Sequence, residues 1–526
     1  MSLVIKKLTL SEQSIIDENN GMKMYLTNLV KDKPFTKRSW LYENREPNDV
    51  LNEWMERLSI LERGTEFERI VFQFDTSQLK KWGPQGGHEA MSSLLPTIVL
   101  PSFERAEEAT TPKAFNTQEW KQGVEATEVA LRAYARNLRP AGYRRVVDDM
   151  RARDTLESNS GWPLFTRRNL PEVIKQSITE AESGDWKRYP AIALFRRYNG
   201  KTRLVWMYPM SVNLVEGSFF QPLQSALIRS GDPFFAPWIG FDEVREIITE
   251  AYDAGKYLAA TDFSSTDEHF TYATSEQVVY VMCALFQDKY SKAIEESIAR
   301  MHTIPLVIGT DEKIVGPHGV SSGSNWTNFI ETVFDLELSK YVSIVTENQW
   351  KGFYAIGDDM CWISSRYDDA FANKIESIGK DVGQVINAEK VTNEPDRVKT
   401  LQRLFQRGYR RPDGKLRGVY PTIRALKSSI YPEKFHDPKL WSSDMFCARQ
   451  YMILENCVDH PLFKEFVKFI VEGQKDLKPF ARYPASTLNR IQKESKLLPG
   501  LNPTYNQEKR DKPLSDFESI EIARSL

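Results

Sequence analysis

Cysteine is scarce in this chain: four in 526 residues, at Cys283, Cys361, Cys447 and Cys457. None belongs to a CxxC pair, and none stands at zinc-ligand spacing from one of the six histidines. A disulfide framework and a structural zinc are therefore not expected, and the pattern suits a reducing compartment. Long apolar runs are missing as well. No stretch of about 18 apolar residues occurs, and the opening Met-Ser-Leu-Val-Ile-Lys-Lys meets charge too soon for a signal peptide, so a soluble, cytosolic protein without a membrane segment is expected. Charge of one sign is also lacking. A formal net charge of −2 gives no global attraction to nucleic acid and excludes a packaging protein that works by bulk positive charge. Apolar material is ample, at 41% hydrophobic and 12% aromatic residues, enough for several subdomains sharing one body.

Positive charge is instead local. Arg132, Arg136, Arg139, Arg144, Arg145, Arg151 and Arg153 crowd one segment, where interleaved Asp148, Asp149 and Asp154 suggest a solvated helix face. Arg196, Arg197, Lys201 and Arg203 form a second cluster, and Arg403, Arg407, Arg410, Arg411, Lys415 and Arg417 a third. Few acids lie near these two, which fits a confined positive channel.

Periodicity and breakers outline the elements. Residues 1–100 read as an N-terminal extension broken at Gly83-Pro-Gln-Gly-Gly87. Residues 115–154 are mostly helical, and Ser158-Asn-Ser-Gly-Trp-Pro163 makes a sharp loop. Residues 191–206 form a hairpin about Asn199-Gly200. A strand follows at 256–261 and a helix over 275–301. A flexible loop at 319–323 leads into a helix over about 325–342, and after the hairpin at Gly357 come a helix reaching Lys380, a short strand at 385–386 and a hairpin over 400–411. The rest is chiefly helical, with a polar tail from about Leu497.

One hairpin carries chemistry. Gly357-Asp358-Asp359 sits between the apolar runs Phe353-Tyr-Ala-Ile356 and Met360-Cys-Trp-Ile363, so two acids occupy the turn of a buried hairpin. An ordinary turn also uses Gly-Asp, and the tripeptide alone leaves both readings open. Buried carboxylates are costly without a cation, and hard oxygen ligands suit Mg²⁺. Upstream, Asp262 ends an apolar strand in Asp262-Phe-Ser-Ser-Thr-Asp267. Two-metal phosphoryl transfer needs carboxylates converging from separate segments, and Asp262 with Asp358 supplies them. Between them, Ser321-Ser-Gly-Ser-Asn-Trp-Thr327-Asn328 is a small-residue loop that lets a backbone approach a nucleotide, although by itself it also reads as a helix cap. Arg196, Lys201 and Arg203 on the earlier hairpin could neutralise a triphosphate.

The order of these segments closely resembles the viral RNA-dependent RNA polymerases. Ser160-Gly161-Trp162-Pro163 is similar to motif G of that family, Gly200-Lys-Thr-Arg203 to motif F, 262–267 to motif A, Ser322-Gly323 with Thr327 to motif B, and Gly357-Asp-Asp359 to motif C. Asn387-Ala-Glu-Lys390 resembles motif D and Leu404-Phe-Gln-Arg407 motif E. The wording is most like picobirnavirus polymerases, with partitivirus polymerases next.

The resemblance implies an α+β right-hand fold: fingers at 101–255 and 271–310, a palm on a small antiparallel sheet at 256–270 and 311–410, and a mostly helical thumb with its tail at 411–526. Residues 1–100 would bridge fingers and thumb. It implies template-directed RNA synthesis for a virus with a double-stranded RNA genome. Asp262, Asp358 and Asp359 would hold two Mg²⁺ ions, with Mn²⁺ able to substitute. Arg196, Lys201 and Arg203 would hold the triphosphate. Asp267, Ser322, Gly323, Thr327 and Asn328 would read the ribose, and Lys390 would protonate pyrophosphate. Ser160, Gly161, Trp162, Pro163 and Arg407 would contact template or product. RNA, ribonucleoside triphosphates and a capsid protein are the implied partners of a monomer working inside the virion and in host cytoplasm. A reverse transcriptase shares the aspartates, but Ile356 stands where that class more often has an aromatic residue. A non-catalytic RNA-binding protein with a degenerate palm would not be expected to keep all three aspartates. One departure stands out: Glu331 replaces the Asn usual nine residues after the motif B serine. It is expected to turn onto a basic neighbour, leaving Asn328 to read the sugar.

Overall fold

The computed structural model of the protein describes residues 4–434, 436–503 and 512–526. Its strands are β1 (Val4–Lys7), β2 (Ala191–Tyr198), β3 (Lys201–Met207), β4 (Tyr257–Asp262), β5 (Leu306–Val307), β6 (Glu312–Val315), β7 (Trp350–Ile356), β8 (Asp359–Ser364), β9 (Thr392–Asn393), β10 (Arg397–Thr400), β11 (Arg403–Arg410) and β12 (Leu416–Val419). They form sheets ordered β1-β6-β5-β2-β3, β7-β8-β4-β9 and β10-β11-β12. Helices supply the rest of the architecture.

The four-stranded sheet is antiparallel throughout, and its strands are apolar on both faces for a visible reason. Ala259, Ala355, Met360 and Trp362 face a large core made with the long helix Trp326–Val345. Their neighbours Leu258, Ala260, Tyr354 and Cys361 face a second, smaller core. The period of two in a strand thus divides each apolar run between two buried layers, which is why these strands read as continuous rather than alternating. A sheet clamped from both sides is a rigid carrier for whatever stands at its strand ends.

The N-terminal hundred residues join two bodies. β1 pairs with β6, and Ile16, Met22 and Leu26 enter the large core. Leu41, Val50, Trp54 and Phe74 enter a third core with the C-terminal helices. Gln85, in the predicted Gly/Pro break, accepts from the Asn199 amide of the β2–β3 turn at 2.8 Å and donates to the Tyr431 carbonyl at 2.7 Å.

Several expected elements change under tertiary contacts. The predicted helix over 275–301 is two helices, Tyr272–Leu285 and Ser291–Met301, because Phe286 pairs with Leu138 as an isolated bridge. Residues 385–386 are not a strand. Ile386 makes a single bridge to Phe263, and the sheet edge is taken by β9. The hairpin expected at 400–411 is a three-stranded meander beginning at Arg397. Asp359 is not in its turn but opens β8. The tail lies partly outside the described residues, and beyond 511 it folds back, burying Leu514, Phe517, Ile520 and Ala523 in the third core.

Asp75 ties the extension to that core. Its fully buried carboxylate accepts from the Thr422 amide (3.0 Å), the Thr422 hydroxyl (2.6 Å), the Ile423 amide (2.8 Å) and His460 Nε2 (2.9 Å). Removing it strands four buried donors, so Asp75→Ala should destabilise the fold by about 3–5 kcal/mol. Thermal unfolding read by near-UV circular dichroism checks this, and an unchanged midpoint would count against the linkage.

Candidate active site

Strand register builds the centre. Asp262 ends β4 directly opposite Asp359, which opens β8. Asp358 lies in the two-residue turn between β7 and β8, and one carboxylate oxygen from each of Asp262, Asp358 and Asp359 lies within 4.8 Å of the others. The turn requires glycine at 357. Its φ is +57°, and a Cβ there would fall 2.9 Å from Asn328 Nδ2 and 3.3 Å from Glu331 Oε2. The helix Trp326–Val345 pins this turn: Thr332 Oγ1 accepts from the Gly357 amide at 2.9 Å and donates to the Asn328 carbonyl at 2.7 Å.

The carboxyls raise one another's proton affinity. The outer edge of Asp262 reaches solvent, but cleft walls and Asp358 push its carboxyl up to about 6, against the pull of Lys390, Lys201 and Arg203. Burial, then Asp358, likewise raises Asp267 to about 6. Asp359 is pushed to about 8 by burial, Asp358 and Asp262. Asp358 is also raised, chiefly by burial, with Arg203 and the Thr266 hydroxyl opposing.

Glu331 corrects an expectation. Rather than turning onto a cation, it is buried, and its charged neighbours are Asp358, Asp267 and Asp359. Burial and these carboxylates push its carboxyl well above the usual range. One turn on, Asp335 is fully buried with both carboxyl oxygens lacking a hydrogen-bond partner among the described residues, and burial and Glu331 push its carboxyl upward too.

The small-residue loop is docked on β3. The Trp206 amide donates to Ser322 Oγ at 3.3 Å, and a Cβ on Gly323 would fall 1.7 Å from the Trp206 carbonyl oxygen. Only glycine allows that approach. Thr327 spends its hydroxyl on the Ser321 carbonyl (2.6 Å), closing the loop. Asn328 is exposed beside the Gly357 turn. Behind the loop, buried Glu216 accepts from the Asn325 amide (3.1 Å), Asn213 Nδ2 (2.9 Å) and the Ser324 hydroxyl. Arg168 Nη2 donates to Asn213 Oδ1 at 2.8 Å, joining this network to the loop that contains residues 158–163. Sequence reasoning missed Glu216, Asn213, Thr332 and Thr266. Of these only Thr266, inside the segment 262–267, carried a positional signal.

The cations divide into two kinds. Lys201 and Arg203 are exposed on β3, and their charge reaches the Asp262 carboxyl. Lys390, exposed at the end of the turn Ala388–Lys390, acts on it as well. Arg196 is different: it pairs with Glu433 through two bonds of 2.6 and 3.0 Å, joining the β2–β3 hairpin to the C-terminal region. The third basic cluster is not a channel lining. Arg407 donates to the carbonyls of Tyr252 (2.7 Å) and Lys256 (3.0 Å), Arg410 pairs with Asp253, and Arg411 and Arg417 share buried Asp459. Arg407, expected to contact RNA, thus commits its guanidinium to bracing the joint between the sheets. Ser160 and Trp162 are buried, and Ser160 bonds Met210 and Thr166 backbone amides. Their side chains pack inward rather than project outward, and at Gly161, with φ at +67°, a Cβ would fall 2.5 Å from the Tyr208 carbonyl oxygen, so the loop lies directly against the end of β3.

Three carboxylates on facing strand ends, exposed cations on a hairpin and a close-docked small-residue loop have the make-up of a nucleotidyl-transfer centre. Residues 198–419 match the family described as viral RNA-dependent RNA polymerase. A curated relative, described as a potential RNA-dependent RNA polymerase of Human picobirnavirus (strain Human/Thailand/Hy005102/-), is 25% identical over 488 residues, covering 87% of this chain and 86% of the relative. The crystal structure of the RNA-dependent RNA polymerase of a human picobirnavirus is 21% identical, with a TM-score of 0.82 over 99% of this chain and 100% of that one. Its insertion-loop deletion mutant gives 22% and 0.81, with the same coverage. The chain is an RNA-directed RNA polymerase, similar along most of its length to a picobirnavirus polymerase.

The raised carboxyls set a pH dependence. An acid whose folded pKa lies above its unfolded value of about 3.9 takes up protons on folding, so its contribution to stability falls as pH rises through that interval. With Asp262 and Asp267 at about 6 and Asp359 at about 8, the metal-free fold should lose stability from about pH 4 to pH 8. Divalent cations bind the deprotonated cluster. Stabilisation by Mg²⁺ or Mn²⁺ in a thermal melt should accordingly be small at pH 5.5 and large at pH 8, and a pH-independent shift would contradict it.

Proposed function

We propose that the polymerase copies RNA for a virus with a double-stranded genome, and that Asp262, Asp358 and Asp359 hold two Mg²⁺ ions, with Mn²⁺ able to substitute. The observation that carries this is the register pairing of Asp262 with Asp359 and the 4.8 Å spacing of the three carboxylate oxygens. A hard, all-oxygen donor set of mutually repelling carboxylates, open to solvent at Asp262, fits a divalent cation. Bound there, such ions supply charge neutralisation at the attacking and departing oxygens.

The chain's own groups do the rest. Lys201 and Arg203 take the triphosphate, orienting its α-phosphate toward the primer 3′-oxygen. That oxygen attacks, and the bond to pyrophosphate breaks. Lys390 gives a proton to the departing pyrophosphate. Asp267, Ser322, Gly323 and Thr327 shape the sugar site, and the amide of Asn328 reads the 2′-hydroxyl. Arg196 contributes indirectly, by fixing the hairpin through Glu433. The fingers, palm and thumb divide as 101–255 with 271–310, 256–270 with 311–410, and 411–526, with residues 1–100 linking them. The separate cores served by residues 16–26 and 41–74 support that linking role. A capsid protein as partner, a monomeric state, and work inside the virion and in host cytoplasm complete the reading.

Asp262→Asn and Asp358→Asn should each lower incorporation by about 10²-fold or more. Template RNA affinity should stay near wild type, because neither carboxylate faces template. Near-normal turnover in Mg²⁺ for either variant would remove the metal assignment. Lys390→Leu should slow single-turnover chemistry by about 10²-fold and change its pH profile. An unaltered rate and profile would leave Lys390 as a solvated turn residue.

A further inference from the structure

The short helix Ala236–Ile239 lies far in sequence from every motif named above, yet its Trp238 reaches the nucleotide site. The half-buried indole is stacked between Phe235, with centroids 5.2 Å apart, and Phe329, at 5.7 Å and only 8° from parallel. Its Nε1–H points at Asn328 Oδ1, 3.2 Å away. An indole N–H can only donate, so the oxygen of the Asn328 amide must face it. The NH₂ group is thereby turned the other way, to the Gly357 turn, where a Cβ on that glycine would fall 2.9 Å from Nδ2. It has no hydrogen-bond partner among the described residues. Meanwhile Thr332, bonded to both the Asn328 carbonyl and the Gly357 amide, sets the distance between helix and turn.

An exposed asparagine without such a partner samples both amide orientations, and only one presents donors at the turn. A ribose 2′-oxygen can accept from that NH₂ group, whereas a 2′-deoxyribose leaves it unpaired. We propose that Trp238 is a positioning residue for sugar selection, holding Asn328 as a hydrogen-bond donor toward the 2′-oxygen of the incoming ribonucleotide. This rests on the reading of Asn328 as the group that senses the sugar. The aromatic sandwich serves the same end: it denies the indole the rotation that would break the bond.

Trp238→Phe keeps a ring able to stack and removes the N–H together with the five-membered ring that carries it. The measurement is the ratio of kcat/KM for a ribonucleotide to that for its 2′-deoxy analogue in wild type, Trp238→Phe, Asn328→Ala and the double variant. The expected results are a fall of about 3- to 10-fold for Trp238→Phe and about 10-fold for Asn328→Ala. The double variant should be no worse than Asn328→Ala alone, since the indole acts through the amide. A normal ratio for Trp238→Phe beside a lowered one for Asn328→Ala overturns the role of Trp238 and leaves that of Asn328 standing. A further fall in the double variant overturns it too, because the indole would then act by another route. A normal ratio for Asn328→Ala overturns the sugar-reading assignment on which the inference rests.

Discussion

Carboxyl groups crowd one end of the four-stranded sheet, and most of the molecule can be understood as the means of tolerating that crowding. Asp262, Asp358 and Asp359 lie within 4.8 Å of one another, and Asp267, Glu331 and Asp335 feel the same charges. At an effective dielectric of about 20, two full charges so close repel by about 3 kcal/mol, and burial adds a desolvation cost. Two devices limit the total. Burial raises the proton affinity of the deepest groups, Glu331 and Asp335, which favours their uncharged form. Exposed cations, Lys201, Arg203 and Lys390, lean on Asp262 from outside. The residual charge is what a divalent metal bound to the aspartates would neutralise.

Rigidity follows from the same constraint, since repelling groups drift apart unless the backbone beneath them cannot move. The sheet is held between two cores. Its critical turn is tied to the helix Trp326–Val345 by Thr332, and the small-residue loop is locked against β3 and the Glu216 network. The extension and the β2–β3 hairpin are fastened to the C-terminal helices by Gln85, Asp75 and the Arg196–Glu433 pair. Each link spans a long stretch of sequence. Together they surround the site with fixed walls, which preserves a geometry that electrostatics alone would disperse.

What could be read from the residues was whatever depends on local order. Apolar runs ending in acids announced β4 and the β7–β8 hairpin, and Asn199-Gly200 announced its turn. Motif order then carried the family. What escaped depends on partners distant in sequence. Nothing local to Phe286 says that it will pair with Leu138 and split a helix. Nothing around Arg407 says that backbone carbonyls of Tyr252 and Lys256 will use up its guanidinium. Glu331 was misjudged because a sequence shows that a cation-rich region exists, not that the helix face it occupies points into acids.

The basic clusters show why composition is a poor guide to electrostatic function. Arg403, Arg407, Arg410, Arg411 and Arg417 look like a nucleic-acid surface, yet the planar guanidinium, with five donors, is also well suited to gathering carbonyls and a buried carboxylate at a joint. Asp459 takes Arg411 and Arg417 together. Lys201 and Arg203 on β3, which meet no such acceptor among the described residues, keep their charge available. The distinction lies in the acceptors and not in the cations. Arg196 makes the point, since it stands opposite Arg203 in the same β2–β3 ladder and is structural only because Glu433 meets it.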